Sequence, residues 1–488
     1  MKMSRSGVAI TLGLLLSACV LPPKELPHAQ PLADDQLGLN GVAVAPAAEG
    51  WWKGFDDAQL DRLIDQAFAN SPTLAEASAR LREAVSQTDA AHAGLLPRAK
   101  LAAGATRARA PADYIIPPPY AGSVFWMAQA GASLSWDLDF WGKQADAVAQ
   151  ARALAQSANL EIDNTRLMLA GAIAQSYVEL YRDYALSDIA SRAEAQRQHI
   201  IDITRQRLAA GLDTQLELRT AEGQLPQARV EREQAQAAAD LAVHQLAAIT
   251  GAGAESYALI QRPKVNLDAA LVLPADLPIN LLARRPDVLA ARLQIQAADA
   301  QRLASKAAFY PDVSLTALAG FGAFGLNNLF ELNARGYGGG PMISLPLFDA
   351  GRLRAEYRGS EAALDAAVAR YNDTVLKAVQ QTADQLTRID ALSRERIDQQ
   401  QTLGASEDAY RIAEERYRAG LASYLSVLNA ETQVLAARRN SIDIVANLAV
   451  ARVTLLLALG GSFDPAAAVD SASNPNSSSN LALSQVAP

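Results

Sequence analysis

Residues 71–101 read SPTLAEASARLREAVSQTDAAHAGLLPRAKL, and residues 285–315 read RPDVLAARLQIQAADAQRLASKAAFYPDVSL. Laid over each other at a shift of 214, they put Pro72 on Pro286 and Pro97 on Pro311, 25 residues apart in both. Further along the shift is 209 and stays there. Gly142 falls on Gly351, Gly211 on Gly420, Glu222 on Glu431 and Gly251 on Gly460. The shift changes only between about 102 and 134, where loop lengths are free to differ. Chance does not hold four such landmarks in one register. The chain is a tandem duplication of about 210 residues per unit.

Each unit has one grammar. A helix of about 25 residues between two prolines leads into two strand-like segments joined by a Gly/Pro loop. A very long helix follows, then a tight Gly turn, then a helix of about 40 residues. No proline interrupts 142–211 or 351–420, so each stretch allows a helix of roughly 100 Å at 1.5 Å per residue. The spacing Leu364, Val368, Tyr371, Val375 is that of a coiled-coil seam, with Glu361, Asp365, Arg370 and Asp373 expected on the opposite side. Gly359, Gly404 and Pro226 are expected to weaken the helices locally.

The strand segments are patterned for lipid on one side. Through 124–140 every second residue is apolar, from Val124, Trp126 and Ala128 to Trp136, Leu138 and Phe140. Gln129, Gly131, Ser133 and Ser135 fill the other register. Trp126 and Trp136 are ten residues apart, which on a strand tilted about 45° separates them by roughly 23 Å in height and suits them to two aromatic girdles. The second unit repeats the alternation at Val313, Leu315, Ala317, Ala319 and Phe321, then at Ile343, Leu345 and Leu347. Four strands per chain cannot close a barrel, and an open edge in lipid is prohibitive, so several copies must pool their strands.

Composition excludes most other classes. The formal charge is -8, which disfavours nucleic acid as a partner. Aromatics are 6% and charged residues 20%, while 50% of the chain is hydrophobic, much of it Ala, as closely packed helices require. A single Cys and four scattered His rule out a disulfide and give no metal-ligand spacing, so neither metal nor cofactor is expected. The N-terminus MKMSRSGVAITLGLLLSAC has a charged start and an apolar run too short to span a bilayer, as in an export signal. The domains expected are a signal peptide at 1–18, a Pro/Ala-rich leader at 19–50, repeats at 51–261 and 262–464, and a disordered tail at 465–488. Asn447 and Arg452 break the most apolar later stretch, so a membrane span is expected to be built from strands.

The segment Leu16-Ser17-Ala18-Cys19 resembles a bacterial lipobox, which implies that Cys19 is lipidated; Val20 after it implies sorting to the outer membrane. The duplicated Pro-to-Pro helix, Ser344-Leu345-Pro346-Leu347-Phe348-Asp349-Ala350-Gly351-Arg352, and Arg416-Tyr417-Arg418-Ala419-Gly420-Leu421 running on to Leu428-Asn429-Ala430-Glu431 carry a wider likeness. With them the chain, over about 55 to 461, resembles the outer-membrane efflux protein family. These are TolC-like outer-membrane factors, and the likeness is to the lipidated NodT/OprM-type branch. The resemblance implies a mainly α fold with a β membrane portion: long coiled-coil helices forming an α-barrel, with four β-strands per chain completing a 12-stranded barrel as a homotrimer. It implies a periplasmic adaptor and an inner-membrane pump as partners, with no chemistry in the duct itself. It places Gly211-Leu212 and Gly420-Leu421 at the periplasmic tip as adaptor contacts. It puts Glu217, Tyr417 and Arg418 at a periplasmic gate, with an Arg–carboxylate link holding the helices. Ser426 and Asn429 stand where the family often has acidic residues, so a polar ring or an apolar constriction at Leu425 or Leu428 is expected there.

Gly320 to Gly325 satisfies G-x-G-x-x-G, but a dinucleotide site needs a helix starting there, and NNLFELNARGYGGGP follows. The segment reads as a barrel hairpin, and no enzyme is expected. Three functions fit to different degrees. The strand pairs favour an exit duct for small toxic compounds in a tripartite efflux system. The outer component of a type I protein secretion system and a coiled-coil surface lipoprotein are the alternatives.

Overall fold

The structure is a computed structural model and describes residues 28–37, 39, 43, 47–113, 117–118, 120–267, 280 and 282–464. The export signal, Cys19, half of the leader and the tail from 465 lie outside the described residues. Among the described residues the elements run α1 (Ala58–Asn70), α2 (Pro72–Ala93), β1 (Arg98–Arg109), β2 (Val124–Leu138), α3 (Lys143–Ala209) and α4 (Gln215–Ile249), then α5 (Pro286–Ala307), β3 (Asp312–Phe324), β4 (Arg335–Ser344), α6 (Arg352–Arg418) and α7 (Tyr424–Ala458). The repeat is visible element for element. Both Pro-initiated helices have 22 residues, both long helices 67 and both returning helices 35.

The chain divides into two compact units. Of the described residues, one comprises 28–31, Arg80–Ala158 and Ala291–Tyr371 and holds the sheet. The four strands are antiparallel in the order β1-β2-β3-β4. The pairing puts Ala130 opposite Ala103 and Phe321, and Gly131 opposite Gly320. The two glycines let the strands meet, since a Cβ on Gly320 would lie 2.5 Å from the Gly131 Cα. G-x-G-x-x-G lies at the end of β3, in extended backbone with no helix behind it. Two expected strand ends fall short. β2 stops at Leu138 and β4 at Ser344, which leaves Phe140, Leu345 and Leu347 in the connectors. The Asp139 carboxylate accepts from the Ala145 N–H at 2.7 Å, and Asp349 accepts from Gly351 and Leu353, so the backbone turns out of the sheet to start α3 and α6.

The other unit comprises the described residues within Leu32–Ala79, Asn159–Ala290 and 372–464. Its main core gathers Trp51, Trp52 and Phe55 with the apolar stripe of α1 (Leu60, Leu63, Ile64, Ala67) against Ile173, Tyr177, Leu246 and Val453. Helix α1 was absent from the sequence expectations, although its stripe has the helical period. A Cβ on Gly251 would lie 2.5 Å from the Asn70 carbonyl, and one on Gly460 2.1 Å from the Arg284 carbonyl. Asn70 and Arg284 are themselves repeat equivalents, so both sequence repeats close on the same contact.

Two helix expectations need correction. Gly359, Gly404 and Pro226 do not interrupt their helices. Ala221 and Ala228 are buried on either side of the exposed Pro226, and packing on both flanks overrides the local preference. Leu364, Val368 and Val375 are buried as the seam requires, but so is Glu361, which was expected on the opposite side. Helix α7 is long and apolar enough to cross a membrane by length and composition; Ala446, Ala449, Val453 and Leu456 on it instead enter the core.

Candidate functional site: a two-faced sheet and a tied helical tip

The register sorts the sheet residues onto two faces. One carries Ala99, Leu101, Ala103 and Ala105 of β1, and Val124, Trp126, Ala130, Leu134, Trp136 and Leu138 of β2. Val313, Leu315, Ala317, Ala319 and Phe321 of β3 and Tyr337, Pro341 and Ile343 of β4 continue it. The other face carries Arg98, Lys100, Gln129, Ser133, Ser135, Asp137, Ser314 and Thr316. Apolar outside and polar inside is the signature of a strand between lipid and a wet lumen. Toward the hairpin loops the polar register ends in three aromatic rings, Tyr120, Phe125 and Phe324, with centroids 5.0 to 5.4 Å apart. Trp126 and Trp136 sit on the apolar face, both part-exposed. The Trp136 indole donates to the Leu95 carbonyl at 2.9 Å, which satisfies its polar end at the rim of the apolar band.

The turns between the long and returning helices close in the same way. Gly211 donates to the Leu208 carbonyl and Leu212 to that of Arg207; Gly420 donates to Tyr417 and Leu421 to Arg416. This is the Schellman pattern, and it needs the positive φ of Gly211 (72°) and Gly420 (78°). Leu212, Leu216, Leu421 and Leu425 are left with more than half of their surface exposed.

Behind these turns lies a buried polar knot. The Arg207 guanidinium forks onto Asp213 at 2.9 and 3.1 Å and donates to the Tyr417 carbonyl at 2.6 Å. The Tyr417 hydroxyl donates to Asp213 at 2.6 Å and lies 2.9 Å from Thr204 Oγ1. Arg207 also stacks over the Tyr417 ring at 4.5 Å. Burial would raise the Asp213 carboxyl from its ordinary 3.8, but the bonds from Arg207 and Tyr417 outweigh it and hold the group below that value. Burial and the bond to Asp213 push the Tyr417 hydroxyl up to about 12. Deeper along the same helices Arg197 meets Glu431 at 3.1 Å, both nearly buried. Burial raises the Glu431 carboxyl despite Arg197.

The expected gate residues are placed differently from one another. Tyr417 is fully buried between helices of its own chain rather than facing a lumen, because its hydroxyl and ring are both used in the knot. Glu217 is the third residue of α4 and makes a capping box with Thr214, accepting from the Thr214 N–H at 2.9 Å. The Thr214 hydroxyl donates to it as well, and that bond, with those from the backbone N–H groups, holds its carboxyl below the ordinary range. Arg418 pairs with Glu414 at 2.8 Å and touches His199. Within the one chain Arg418 does not pair with Glu217, and a buried pair at the tip is Arg207 with Asp213. Leu425, Ser426 and Asn429 are exposed, whereas Leu428 is half-buried and packs against the buried cluster of Tyr417, Tyr424 and Val427. The knot was illegible because it breaks the repeat. The equivalents of Thr204, Asp213 and Tyr417 are Ala413, Ala422 and Leu208.

An antiparallel sheet with one lipid-facing side, carried on paired 67-residue helices, defines an outer-membrane channel protein. The family model for outer membrane efflux proteins matches residues 63–252 and 277–461, and the chain belongs to that family. It is 32% identical over 472 residues to the multidrug resistance outer membrane protein MdtP of Shigella flexneri, covering 93% of this chain and 96% of the relative. It is 31% identical to the outer membrane protein OprJ of Pseudomonas aeruginosa, covering 93% and 95%. Among solved structures it superposes on the outer membrane protein VceC of Vibrio cholerae with TM-score 0.80 and 34% identity, over 86% of this chain and all of the other. The outer-membrane channel OprN gives TM-score 0.80 at 27% identity, over 91% and 99%. The protein is an outer-membrane efflux protein, located in the outer membrane.

Proposed function

We propose that three copies of this chain close a 12-stranded barrel and that the assembly is the exit duct of a tripartite pump for small toxic compounds. The observation that carries this reading is the sheet: four strands with one apolar face, one polar face and two unpaired edges. Pairing β1 of one copy with β4 of the next removes every edge, which a bilayer demands. A 12-stranded barrel is wide enough to keep a lumen that eight strands would fill. Trp126 and Trp136 serve as the girdles. Cys19 carries the lipid anchor and sorts with the outer membrane. The exposed Leu212 and Leu421 at the Gly turns offer apolar contacts to a periplasmic adaptor, which links the duct to an inner-membrane pump. The knot of Arg207, Asp213 and Tyr417 ties the tip, and Ser426 and Asn429 give it a neutral polar rim. The names of the relatives, multidrug resistance protein among them, support the compound class.

The test has two parts. The full-length protein, purified in detergent, is expected to be a trimer by native mass spectrometry and to conduct in planar bilayers. Deleting its gene is expected to lower the tolerated dose of several unrelated toxic compounds, restored by the intact gene. A single-copy particle without conductance defeats the duct. A deletion that changes only the appearance of an exported polypeptide favours protein secretion instead.

A further inference from the structure

The outward face of the sheet changes character at one end. β1 finishes at its hairpin loop with Arg107 and Arg109, and β4 begins at its hairpin loop with Arg335. Arg107 pairs with Trp126, Arg109 with Val124 and Arg335 with Phe321, so all three belong to the apolar, outward register. All three are exposed, and among the described residues none makes an ion pair or a side-chain hydrogen bond. The acidic residues of the two loops, Asp113 and Glu331, are exposed and pair with none of them among the described residues. The opposite end of the same face has no cation: Ala99, Trp136, Leu138, Val313 and Ile343 occupy it. Three unpaired guanidinium groups on a lipid-facing surface are costly at the midplane and stable only where the anionic headgroups begin.

We propose that Arg107, Arg109 and Arg335 form a docking site for the phosphate groups of an outer-leaflet lipid, with the acyl chains lying on the apolar face below Trp126 and Phe321. The charge complementarity is specific, because guanidinium forks onto phosphate through two parallel hydrogen bonds. Position adds to it. The residues end the two unpaired edge strands, so closing the barrel brings Arg107 and Arg109 of one copy toward Arg335 of the next. The site rests on the trimeric reading in that respect: one lipid phosphate cluster would straddle each seam and clamp it from outside. Arg98 and Lys100, on the polar face at the other end, take no part.

The experiment is native mass spectrometry of the full-length trimer titrated with bis-phosphorylated lipid A. Wild type is expected to bind it, and R107Q/R109Q/R335Q to bind about a hundredfold more weakly, given about 1 kcal/mol per basic residue at an anionic surface. R98Q/K100Q is expected to match wild type. Dephosphorylated lipid A is expected to bind wild type as weakly as the triple variant binds the intact lipid, and the comparison of the two lipids on wild type holds even if the variant does not assemble. Equal binding of the two lipids to wild type overturns the site, and so does displacement of lipid A by millimolar inorganic phosphate, which would make it a free-phosphate site. A particle that is not a trimer overturns the duct reading together with this one; a trimer indifferent to lipid phosphate overturns this one alone.

Discussion

Asp213 illustrates how a single carboxylate sets the strength of a whole turn. Its partners hold its folded pKa below the unfolded 3.8, so its contribution is complete above that value and is lost as pH falls through the lower folded one. Asp213→Asn leaves Arg207 buried without its counter-charge, and removing one member of a buried pair costs about 3 kcal/mol. Equilibrium unfolding at neutral pH is expected to show that loss, and the variant is expected to lose the acid-dependent step of wild type below the ordinary carboxylate range. Glycine supplies the second residue-scale contrast. Gly211 has a positive φ and open space, whereas Gly460 has a positive φ and a carbonyl 2.1 Å from where a Cβ would stand. Gly211→Ala is expected to cost about 1 kcal/mol and Gly460→Ala about 3, since the second adds a backbone clash to the conformational penalty. Equal losses in denaturant titrations would mean that the contact of Gly460 with Arg284 does not matter.

At the scale of elements, the start of α4 and the body of β2 carry the clearest expectations. Glu217→Ala removes half of the capping box and is expected to fray the first turn of α4, seen as faster amide exchange at Gln215 to Leu218. If single-channel conductance rises without any change in that exchange, Glu217 acts in the pore and its cap is incidental. In β2, neighbouring residues face opposite solvents. Ala130→Arg puts a charge in the middle of the apolar face and is expected to destabilise the barrel by about 2–4 kcal/mol, whereas Gln129→Arg on the polar face is expected to alter ion selectivity instead. The reverse ranking in refolding into bilayers would invert the sheet. The register of β2 and β3 was legible in advance, because period-2 alternation runs through Val124 to Leu138 and Val313 to Phe321. The ends of β2 and β4 were not, because Asp139 and Asp349 stop them through hydrogen bonds to backbone several residues on.

For the whole molecule, the lipid anchor proposed at Cys19 and the assembly are expected to be separable. Cys19→Ala is expected to lower the intact mass by the attached lipid and to leave a conducting trimer, because the strands rather than the anchor span the membrane. A variant that assembles no trimer would make the anchor part of the barrel's formation. Duplication, helix lengths and the two-faced strands were all determined by the sequence alone. They follow from local periodicity and from a repeat that keeps its glycines, and both are properties of residues near one another in the chain. Only the tertiary structure decided the rest: that Tyr417 is buried, that Glu361 lies inside, that Arg207 finds Asp213 while Arg418 turns to Glu414, and that three arginines end the outward face together. Tyr417 meets Thr204 and Asp213 from more than two hundred residues away, and the three arginines come from strands of different halves. Arg207 with Asp213 and Arg418 with Glu414 are close in the chain, but which of the nearby carboxylates each arginine takes depends on how the helices pack around it.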